Sequence, residues 1–368
     1  MNFPVEKKPF IAIACGGTGG HLFPGVAVAG ELQKLGCEVA LLISPKDVDQ
    51  QAVKGLANIE VFTLPAVGLQ GWNYLSFAKS FWNSSCVARK IFANKKPAAV
   101  LAMGGFTSAP PVLAARKFGA KTFLHESNTV PGKANRFLSR FVDEAFVGFS
   151  EAALPLKAGK FSITGTPVRP QFSAAKNDAA RCRAALGLDP DLPTVLIVGG
   201  SQGARGLNDL VLSALPLLAQ KNWQWLHLTG TPDYDKVKNF YAGQNLKAVV
   251  KPFLAEMDLA LGAATACVSR AGASSLAETA AMRLPSALVP LPTSADNHQY
   301  FNARAFDKTG AAYLLSQYST PDKVVSVLAE LVENVDLRSK FQSALAQWHS
   351  PDAAFKIAGR ILELIAKK

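Results

Sequence analysis

The sequence predicts an α/β protein with two doubly wound parallel sheets, and three observations lead to this prediction. Short runs of β-branched and other apolar residues alternate with longer stretches of helical periodicity, as in α/β sheets. These runs fall into two sets, one that ends near Phe149 and one that begins at Thr194. At 368 residues the chain exceeds the usual range of a single domain, so two domains are expected.

The predicted strands follow one another in chain order, with helical stretches between them. The first set reads FIAIAC, EVALLIS, AAVLAMGG, KTFLHES and EAFVGF; the second reads TVLIVGG, WQWLHLTG, AVVKPF, ATACVS and PSALVPLP. Between the sets lies GTPVRPQFSAAKNDAARCRAALGLDPDLP, which is expected to be a linker with one short helix at 179–186. The C-terminal segment is predicted to be a helix with one buried apolar face, formed by Ala354, Ile357, Ala358, Ile361 and Ile365.

Composition indicates a folded protein of a reducing compartment. Apolar residues make up 49% of the chain and charged residues 18%, which is typical of globular proteins and not of disordered ones. The five cysteines lie far apart without a CxxC pair, which argues against a disulfide framework and a zinc site. The N-terminus lacks a segment typical of signal peptides, and no run approaches the roughly 18 apolar residues of a spanning helix. We therefore expect a cytoplasmic, soluble protein.

The net charge of +12 suggests a negatively charged partner. Nucleic acid, an anionic membrane surface and a phosphorylated ligand are all compatible with it, and charge alone does not choose among them. The distribution is more informative, because the segment from Lys79 to Lys96 carries five cations and no acidic residue.

Three predicted strands end in a pair of glycines, in IAIACGGTGG, AVLAMGGFTS and VLIVGGSQGA. Glycine permits positive φ and close approach of a ligand to the backbone, and the first N–H groups of the following helix can bind an anion. The simpler explanation is that loops between strands and helices often contain glycine. Three such pairs at the carboxyl ends of strands, where open α/β sheets bind ligands, favour a phosphate site.

Two common nucleotide-binding motifs do not fit these glycines. In a G-x-G-x-x-G motif that starts at Gly17 and Gly19, the third glycine position is Leu22, and the second strand ends in Ser44 and Pro45 without an acidic residue. No lysine follows any of the pairs at the spacing of a G-x-x-x-x-G-K-[ST] loop. These differences argue against a nicotinamide-dependent dehydrogenase and against an ATPase.

Six segments between Cys15 and Ala303 carry a resemblance: GGTGGHLFPGVAVAGEL, GGFTSAPPVLAARKFGAKTFLHESN, GTPVR, GGSQGARGLN, SRAGASSLAETAAMRLPSALVPLP and DNHQYFNA. In this order they resemble the MurG family, the bacterial UDP-N-acetylglucosamine:lipid I N-acetylglucosaminyltransferases of peptidoglycan synthesis. The resemblance implies a GT-B type fold, with two Rossmann-like domains that face each other across a cleft. It implies an acceptor and membrane-side domain at 1–167, a UDP-sugar domain at 168–345, and a C-terminal helix at 346–368 that packs back on the first domain.

His21 is the candidate catalytic base. Inverting transfer requires a base for the proton of the acceptor hydroxyl, and imidazole titrates near neutral pH. From the residues alone, a histidine that caps the helix or steadies the loop is an equal alternative; the resemblance favours catalysis. Thr18, Gly19 and Gly20 are expected to bind substrate beside it.

Two arginines and one glutamate are the candidate ligands of the donor nucleotide. Arg169 and Arg270 have no acidic neighbour within four positions, so each can bind an anion. The resemblance places Arg169 and Ser201 near the donor diphosphate and Arg270 at the cleft wall. It also assigns the ribose to Glu278, whose alternative role is interaction with the dipole of its own helix.

The remaining site residues are implied by the resemblance. They are Asn128, His298 and Gln299 near the donor sugar, Leu254 with its backbone at the uracil, and the helix start formed by Ala273, Ser274, Ser275, Leu276 and Ala277. None of the six segments that carry the resemblance contains an Asp-x-Asp motif, so we expect neither a metal nor a cofactor, and UDP-N-acetylglucosamine serves as the donor substrate.

The basic segment GLQGWNYLSFAKSFWNSSCVARKIFANKK is expected to face the anionic inner leaflet of the membrane. Aromatic residues accompany its cations, namely Trp72, Tyr74, Phe77, Phe81, Trp82 and Phe92. An ordinary amphipathic helix of the core fits the same spacing. No recognisable nucleic-acid module accompanies the segment, so nucleic acid is not an expected partner.

The expected activity is transfer of N-acetylglucosamine to the C4 hydroxyl of the muramyl sugar of lipid I, by a peripheral protein of the cytoplasmic membrane face. Two rival enzymes share this plan, a glycosyltransferase with another lipid acceptor and a UDP-sugar epimerase. A hydrolysing epimerase needs additional carboxylates, and Glu126 is the only obvious one. A nucleotide-sugar sensor or scaffold without catalysis is the alternative from another class.

Overall fold

The chain forms two compact units, each built on its own parallel sheet. The computed structural model describes residues 8–54, 56, 59–66, 74–174, 177–200 and 203–367. Unit 1 comprises Met1–Arg169 and Ser350–Lys368, and unit 2 comprises Pro170–His349. The domain limits expected from the sequence, 167/168 and 345/346, remain predictions of the functional division.

Unit 1 contains a sheet of seven described strands in the order β3-β2-β1-β4-β5-β6-β7, with every pair parallel. The strands are β1 (Phe10–Ala14), β2 (Glu38–Ile43), β3 (Glu60–Thr63), β4 (Ala99–Ala102), β5 (Lys121–Glu126), β6 (Glu144–Val147) and β7 (Phe161–Ile163). The helices between them are α1 (Gly19–Lys34), α2 (Asp47–Ala52), α3 (Tyr74–Asn94), α4 (Ala109–Lys117) and α5 (Lys133–Leu138).

Unit 2 repeats this plan with six described strands in the order β10-β9-β8-β11-β12-β13, again all parallel. They are β8 (Thr194–Val198), β9 (Gln224–Leu228), β10 (Ala248–Lys251), β11 (Ala266–Ser269), β12 (Ser286–Leu288) and β13 (Tyr313–Leu314). The helices are α6 (Ala179–Ala185), α7 (Arg205–Leu218), α8 (Tyr234–Gly243), α9 (Met257–Ala263), α10 (Ala273–Ala281), α11 (His298–Lys308), α12 (Pro321–Glu333) and α13 (Val335–Trp348).

The strand orders confirm the predicted doubly wound sheets and locate the ligand-binding edge of each. The central strands β1 and β4 are buried along their whole length, as expected when helices cover both faces of a parallel sheet. The order reverses between β1 and β4 in unit 1, and between β8 and β11 in unit 2. Crevices at such reversals, outside the carboxyl ends of the strands, are the usual ligand sites of open α/β sheets.

Three strands at the sheet edges were not predicted from the sequence. β3 and β7 are the outermost strands of the first sheet, and β13 is the outermost strand of the second. Each has only two to four residues and none is fully buried, so none has the continuous apolar run that marks a central strand.

The segment predicted as a linker is mostly part of unit 2. Asp178 is the N-cap of its helix α6, and the Asp178 side chain accepts a hydrogen bond from the Arg181 amide at 3.1 Å. The Arg183 guanidinium donates to the Ala263 carbonyl oxygen and to Thr265 Oγ1, at 2.9 and 3.2 Å. These bonds tie α6 to the end of α9, so the segment is docked rather than loose.

The C-terminal helix α14 (Ala353–Ala366) packs on α1 within unit 1. Four of the five residues predicted for its apolar face are buried, and Ile365 is half-buried. Arg360 forms an ion pair with Glu144 of β6, with Nη2 and Oε2 2.9 Å apart. The helix is thereby held by an apolar stripe and by one ion pair whose carboxylate is buried.

Candidate functional site

The two glycine pairs of unit 1 lie beside each other at the reversal of the first sheet. β1 and β4 are neighbours, and the Met103 amide donates to the Ala14 carbonyl oxygen at 2.8 Å where both strands end. Thr107, in the second glycine loop, donates its hydroxyl to the Gly16 carbonyl oxygen at 2.6 Å. The two loops therefore form one structural element, although 91 residues separate the partners of this bond.

The His21 ring lies against the second glycine pair. A Cβ atom on Gly104 would be 3.0 Å from Nε2 of His21, and one on Gly105 would be 3.0 Å from Nδ1. Both glycines have positive φ, +104° and +76°, which L-residues with side chains rarely adopt. Thr18 Oγ1 and His21 Nδ1 are 3.1 Å apart, so a hydrogen bond also holds the ring. The half-buried imidazole is held in one place at the ligand-binding edge of the sheet.

The first glycine loop is anchored by a buried carboxylate that sequence reasoning missed. Asp49 Oδ2 accepts hydrogen bonds from the Gly17 amide at 2.6 Å and from the Ser44 hydroxyl at 2.5 Å. Asp49 is fully buried, and its Oδ1 has no hydrogen-bond partner among the described residues. Lys46 donates to the Gly17 carbonyl oxygen at 3.0 Å, so both sides of the Gly17 peptide region are held.

Asn128 belongs to a loop that Glu126 organises. Glu126 Oε1 accepts from the amide and the side chain of Asn128 at 2.9 and 3.0 Å, and Oε2 accepts from the Gly132 amide and from Asn135 Nδ2 at 2.9 Å each. Glu126 is 3% exposed. A carboxylate with four donors shapes the loop after β5 and holds Asn128 in place.

His125 lies next to this loop and is completely buried. Its Nε2 is 3.0 Å from the Gly165 carbonyl oxygen, and Ser127 Oγ is 3.3 Å from its Nδ1. Burial lowers the pKa of His125 and outweighs the Gly165 hydrogen bond and the nearby Glu126, which raise it. His125 therefore supports the loops as a neutral ring.

Arg169 lies in unit 1, with its guanidinium over the face of Phe23 in α1. The Cζ atom is 4.0 Å from the ring centroid, a cation–π distance. This contact directs the half-buried side chain toward the first helix, at a residue two positions after His21 in the chain.

The third glycine pair begins the loop that joins β8 to α7 in unit 2. Gly200 and Gly203 have φ of +96° and +74°, and the Gly203 amide donates to the Gly200 carbonyl oxygen at 3.0 Å. A Cβ atom on Gly203 would lie 2.7 Å from the Thr229 carbonyl oxygen, so only glycine fits there. Ser201, the predicted diphosphate ligand of this loop, lies outside the described residues.

A buried polar network lies next to this loop and contacts it through Thr229. His227 Nε2 is 3.0 Å from Asn208 Oδ1, and Asn208 Nδ2 donates to the Thr229 carbonyl oxygen and to Asp233, at 3.0 and 2.9 Å. His227 Nδ1 is 3.2 Å from the Tyr241 hydroxyl. Because Asn208 Oδ1 can only accept, the neutral ring carries its proton on Nε2. Burial lowers the pKa of His227 to about 3.

Arg270 follows β11 and is 7% exposed. Its Nη1 donates to the Val289 and Pro290 carbonyl oxygens at 3.1 and 3.2 Å, and its Nη2 donates to Gln317 Oε1 at 2.7 Å. The Nε atom is buried and has no partner among the described residues. Burial lowers the pKa of the guanidinium, which nevertheless stays protonated because the ordinary value is so high.

Helix α10 begins at Ala273, three residues after Arg270, and its N-cap Gly272 has an extended conformation. Ala273 and Leu276 face the core, while Ser274, Ser275, Ala277 and Glu278 lie toward the surface to different degrees. Glu278 is half-buried in the second turn. The first turn of α10 and Glu278, which lies in its second turn, are the groups that the sequence analysis assigned to the nucleotide.

The last predicted residues lie in two further loops of unit 2. His298 and Gln299 begin α11: His298 Nδ1 is 2.8 Å from the Ala295 carbonyl oxygen, and Gln299 Oε1 accepts from the Leu291 amide at 2.9 Å. Leu254 is buried in the loop after β10. These loops follow β10 and β12, so they lie at the carboxyl edge of the second sheet.

Helix α3 combines a buried face with an exposed apolar one. Ala88 and Phe92 are buried in the core, whereas Leu75 and Trp82 are 87% and 63% exposed, seven residues apart and thus on one face. Lys79 is exposed between them. Trp72 and the side chain of Tyr74 lie outside the described residues. Within the described ranges, none of the helices combines the length and apolar content needed to cross a bilayer.

Comparison with known proteins identifies the family. The model of the glycosyltransferase family 28 N-terminal domain matches residues 11–147, and that of the glycosyltransferase family 28 C-terminal domain matches residues 194–354. A relative from Chlorobium luteolum is named UDP-N-acetylglucosamine–N-acetylmuramyl-(pentapeptide) pyrophosphoryl-undecaprenol N-acetylglucosamine transferase. It is 36% identical over 373 residues, which cover 96% of this chain and 98% of the relative.

Solved structures agree with this assignment. The crystal structure of Acinetobacter baumannii MurG is similar with a TM-score of 0.74 and 28% identity, over 97% of this chain and all of that one. A putative UDP-N-acetylglucosamine 2-epimerase from Listeria monocytogenes is similar in fold alone, with a TM-score of 0.73 and 13% identity over 98% of both chains. The chain therefore belongs to glycosyltransferase family 28 and, within it, to the MurG family.

Proposed function

We propose that this protein transfers N-acetylglucosamine, with inversion, from UDP-N-acetylglucosamine to the C4 hydroxyl of lipid I, undecaprenyl-diphospho-N-acetylmuramoyl-pentapeptide, to give lipid II. The observation that carries the proposal is the near full-length similarity to relatives named for this reaction. The His21 site supports it independently, because a histidine held at the carboxyl end of β1 suits the base that the reaction requires.

On the acceptor side, His21 removes the proton from the attacking hydroxyl. In this role the ring is the tautomer whose Nδ1–H donates to Thr18 Oγ1, and Nε2 accepts the proton. The contacts with Gly104 and Gly105 restrict the ring to one orientation, so little entropy is lost when the hydroxyl aligns with it. Gly19 and Gly20 bring the α1 N-terminus beside the same ring.

On the donor side, UDP leaves as an anion and must be stabilised. The loop that begins at Gly199 and Gly200 precedes α7, where backbone amides can bind phosphate. Ser201, which lies outside the described residues, is the proposed diphosphate ligand of this loop. Arg169 and Arg270 contribute positive charge, and Glu278 accepts the ribose hydroxyls. Asn128, Leu254, His298 and Gln299 complete the contacts with the sugar and the base, together with the α10 start from Ala273 to Ala277.

The epimerase alternative is disfavoured by the state of Glu126. Hydrolysing epimerisation needs a carboxylate that can exchange protons with substrate or water. All the acceptor capacity that Glu126 shows is directed to four protein donors in its own loop. We therefore assign Glu126 a supporting role and keep the acceptor-dependent transfer as the proposed reaction.

We also propose that α3 contacts the anionic inner leaflet of the membrane. Leu75 and Trp82 supply apolar area, and Lys79 supplies positive charge on the same face. Replacing both apolar residues with serine is expected to abolish co-sedimentation with vesicles that contain anionic lipid. Leu217→Ser is the control, since Leu217 is 55% exposed on α7 of the other unit. Equal loss in both variants would contradict the proposal.

UDP release from UDP-N-acetylglucosamine tests the reaction, measured with and without a soluble lipid I analogue. We expect release that depends on the analogue and that falls about 10²- to 10⁴-fold in His21→Ala. Gly30→Ala is the matched control on the same helix, because a Cβ atom there meets nothing within 4 Å. Release without acceptor would support an epimerase or hydrolase, and donor binding without turnover would support a sensor.

A further inference from the structure

The Arg270 guanidinium is a buried positive charge whose partners are neutral. Two main-chain carbonyl oxygens and one side-chain amide accept its hydrogen bonds. Among the described residues, no carboxylate forms a hydrogen bond or an ion pair with it. A buried arginine usually pairs with an acidic residue, because charge is expensive to remove from water. Its positive charge therefore remains largely uncompensated.

Gln317 is the partner that fixes this charge in space. Its Oε1 accepts from Arg270 Nη2 at 2.7 Å. The same amide lies directly on the first turn of α7: a Cβ atom on Gly206 would be 2.3 to 2.6 Å from its Cδ, Oε1 and Nε2 atoms. Only glycine at position 206 leaves room for this contact. Gln317 thus connects the loop after β13, the end of β11 and the start of α7.

The charge is placed where an anionic ligand would gain most from it. The Arg270 amide hydrogen-bonds to the Val198 carbonyl oxygen at 3.4 Å, directly before the Gly199–Gly200 pair. Arg270 also precedes the N-cap of α10, Gly272. Helix N-termini carry partial positive charge, so the guanidinium and the starts of α7 and α10 together create a positive potential at this edge.

We propose that Gln317 is a positioning residue for donor binding: its neutral amide orients the Arg270 guanidinium beside the start of α7 without cancelling the charge that the donor diphosphate requires. This inference rests on the proposed function, since it takes the donor to be a nucleoside diphosphate sugar. A glutamate at position 317 could accept the same hydrogen bond with nearly the same shape. It would, however, pair with the guanidinium and reduce the potential felt by the phosphates.

The decisive experiment compares UDP and uridine binding to wild-type protein and to Gln317→Glu by titration calorimetry, with competition for the weaker ligand. We expect UDP affinity to fall on the order of tenfold and uridine affinity to stay the same. The melting temperature should remain unchanged or rise, since a buried cation gains a counter-ion. A purely structural role for Gln317 predicts no loss that is selective for UDP.

Gln244→Glu is the matched control. Gln244 is exposed directly after α8 and before β10 begins. Its replacement by glutamate therefore adds the same charge to the same unit, but at the opposite end of the strands. Equal UDP affinity in wild type and Gln317→Glu, or equal losses for UDP and uridine, would overturn the proposal. Failure of the wild type itself to bind UDP would instead overturn the proposed function.

A second variant tests the positioning contact without adding charge. Gly206→Ala puts a methyl group where the Gln317 amide lies, so we expect Gln317 to shift and UDP affinity to fall. Gly243→Ala is its control, because a Cβ atom there meets nothing within 4 Å. Unchanged UDP affinity in Gly206→Ala would contradict the positioning role even if Gln317→Glu did not fold.

Discussion

The loops that begin with a glycine pair, after β4 in unit 1 and after β8 in unit 2, have the same sequence pattern but present different chemistry. In unit 1, the pair Gly104 and Gly105 leaves room for a titratable ring, His21. In unit 2, Gly206 leaves room for the amide of Gln317, which holds a permanently charged arginine. The comparison teaches that glycines supply space at a strand end, while the side chain that enters the space decides between proton transfer and anion binding.

The hydrogen-bonding groups that hold the glycine loops of the two units differ in the same way. The buried Asp49 carboxylate accepts the Gly17 amide in unit 1. In unit 2 the neutral amide of Asn208 donates to the Thr229 carbonyl oxygen, next to Gly203. A charged anchor forms stronger hydrogen bonds and loses more when one is removed, whereas a neutral network adds no negative charge near a site for an anion.

The largest effect is expected from Gly105→Ala in unit 1. The methyl group would press on Nδ1 of His21 and would force alanine into a positive φ. Displacement of the base by about 1 Å should lower kcat about 10²-fold, while UDP affinity, to which the base does not contribute, stays the same. Steady-state kinetics and UDP titration measure the two separately.

Gly119→Ala is the control for backbone strain. Its φ of +69° is similar, and a Cβ atom there meets nothing within 4 Å. If both variants lost activity equally, strain and not contact with His21 would explain the result. The function assigned to Gly104 and Gly105, which is to hold the His21 ring, would then be wrong.

A smaller effect is expected from Asp49→Asn. The neutral amide removes the charge-assisted bonds to Gly17 and Ser44, so the free energy of unfolding should fall by about 1–3 kcal/mol. Urea denaturation followed by circular dichroism measures the change. Asp47→Asn, at an exposed position of the same helix, should change stability little. Equal effects would show that the buried bonds contribute nothing specific.

At neutral pH the smallest effect, close to zero, is expected from the His227 network of unit 2, and this effect grows only as the pH falls. Burial lowers the pKa of His227 from 6.5 to about 3, so the unfolded chain takes up a proton more readily than the folded one. The free energy of unfolding should therefore fall as pH decreases from about 6.5 toward 3, by up to about 1.4 kcal/mol per pH unit. The contribution of the neutral His227 ring to the free energy of unfolding should be complete above pH 6.5.

Replacing His227 with glutamine should make this pH dependence less steep. Urea denaturation of wild type and His227→Gln at several pH values between 4 and 7 measures the slopes. Some slope should remain, because burial also lowers the pKa of His125 in unit 1. Identical slopes in the two proteins would contradict the assignment of a neutral buried ring at position 227.

The sequence-based prediction succeeded where local patterns are strong. The central strands, the doubly wound plan and the apolar face of the C-terminal helix follow from runs and periodicities that depend on nearby residues. It missed β3, β7 and β13, since short edge strands bury too little to require an apolar run. It also took α6 for part of a linker, because contacts such as Arg183 with Ala263 leave no mark on the local pattern.

The candidate site divides in the same manner. Glycine pairs, isolated cations and His21 were visible in the sequence; the resemblance to the MurG family favoured His21 as the base and supplied the nucleotide ligands. Asp49 and Gln317 were not singled out, because a single Asp in a short helix and a single Gln in a loop are common. Their functions depend on which residues lie opposite them in space.

The sequence by itself determined which central segments become strands and helices and where the backbone needs glycine, because these depend on side-chain size, polarity and spacing along the chain. The tertiary structure alone decided that β1 lies beside β4 and β8 beside β11. That strand order brings Gly105 to His21, and Gln317 to an arginine 47 residues away. The physical reason is that parallel strands are joined by crossovers, so the loops that meet at one sheet edge are distant in the chain.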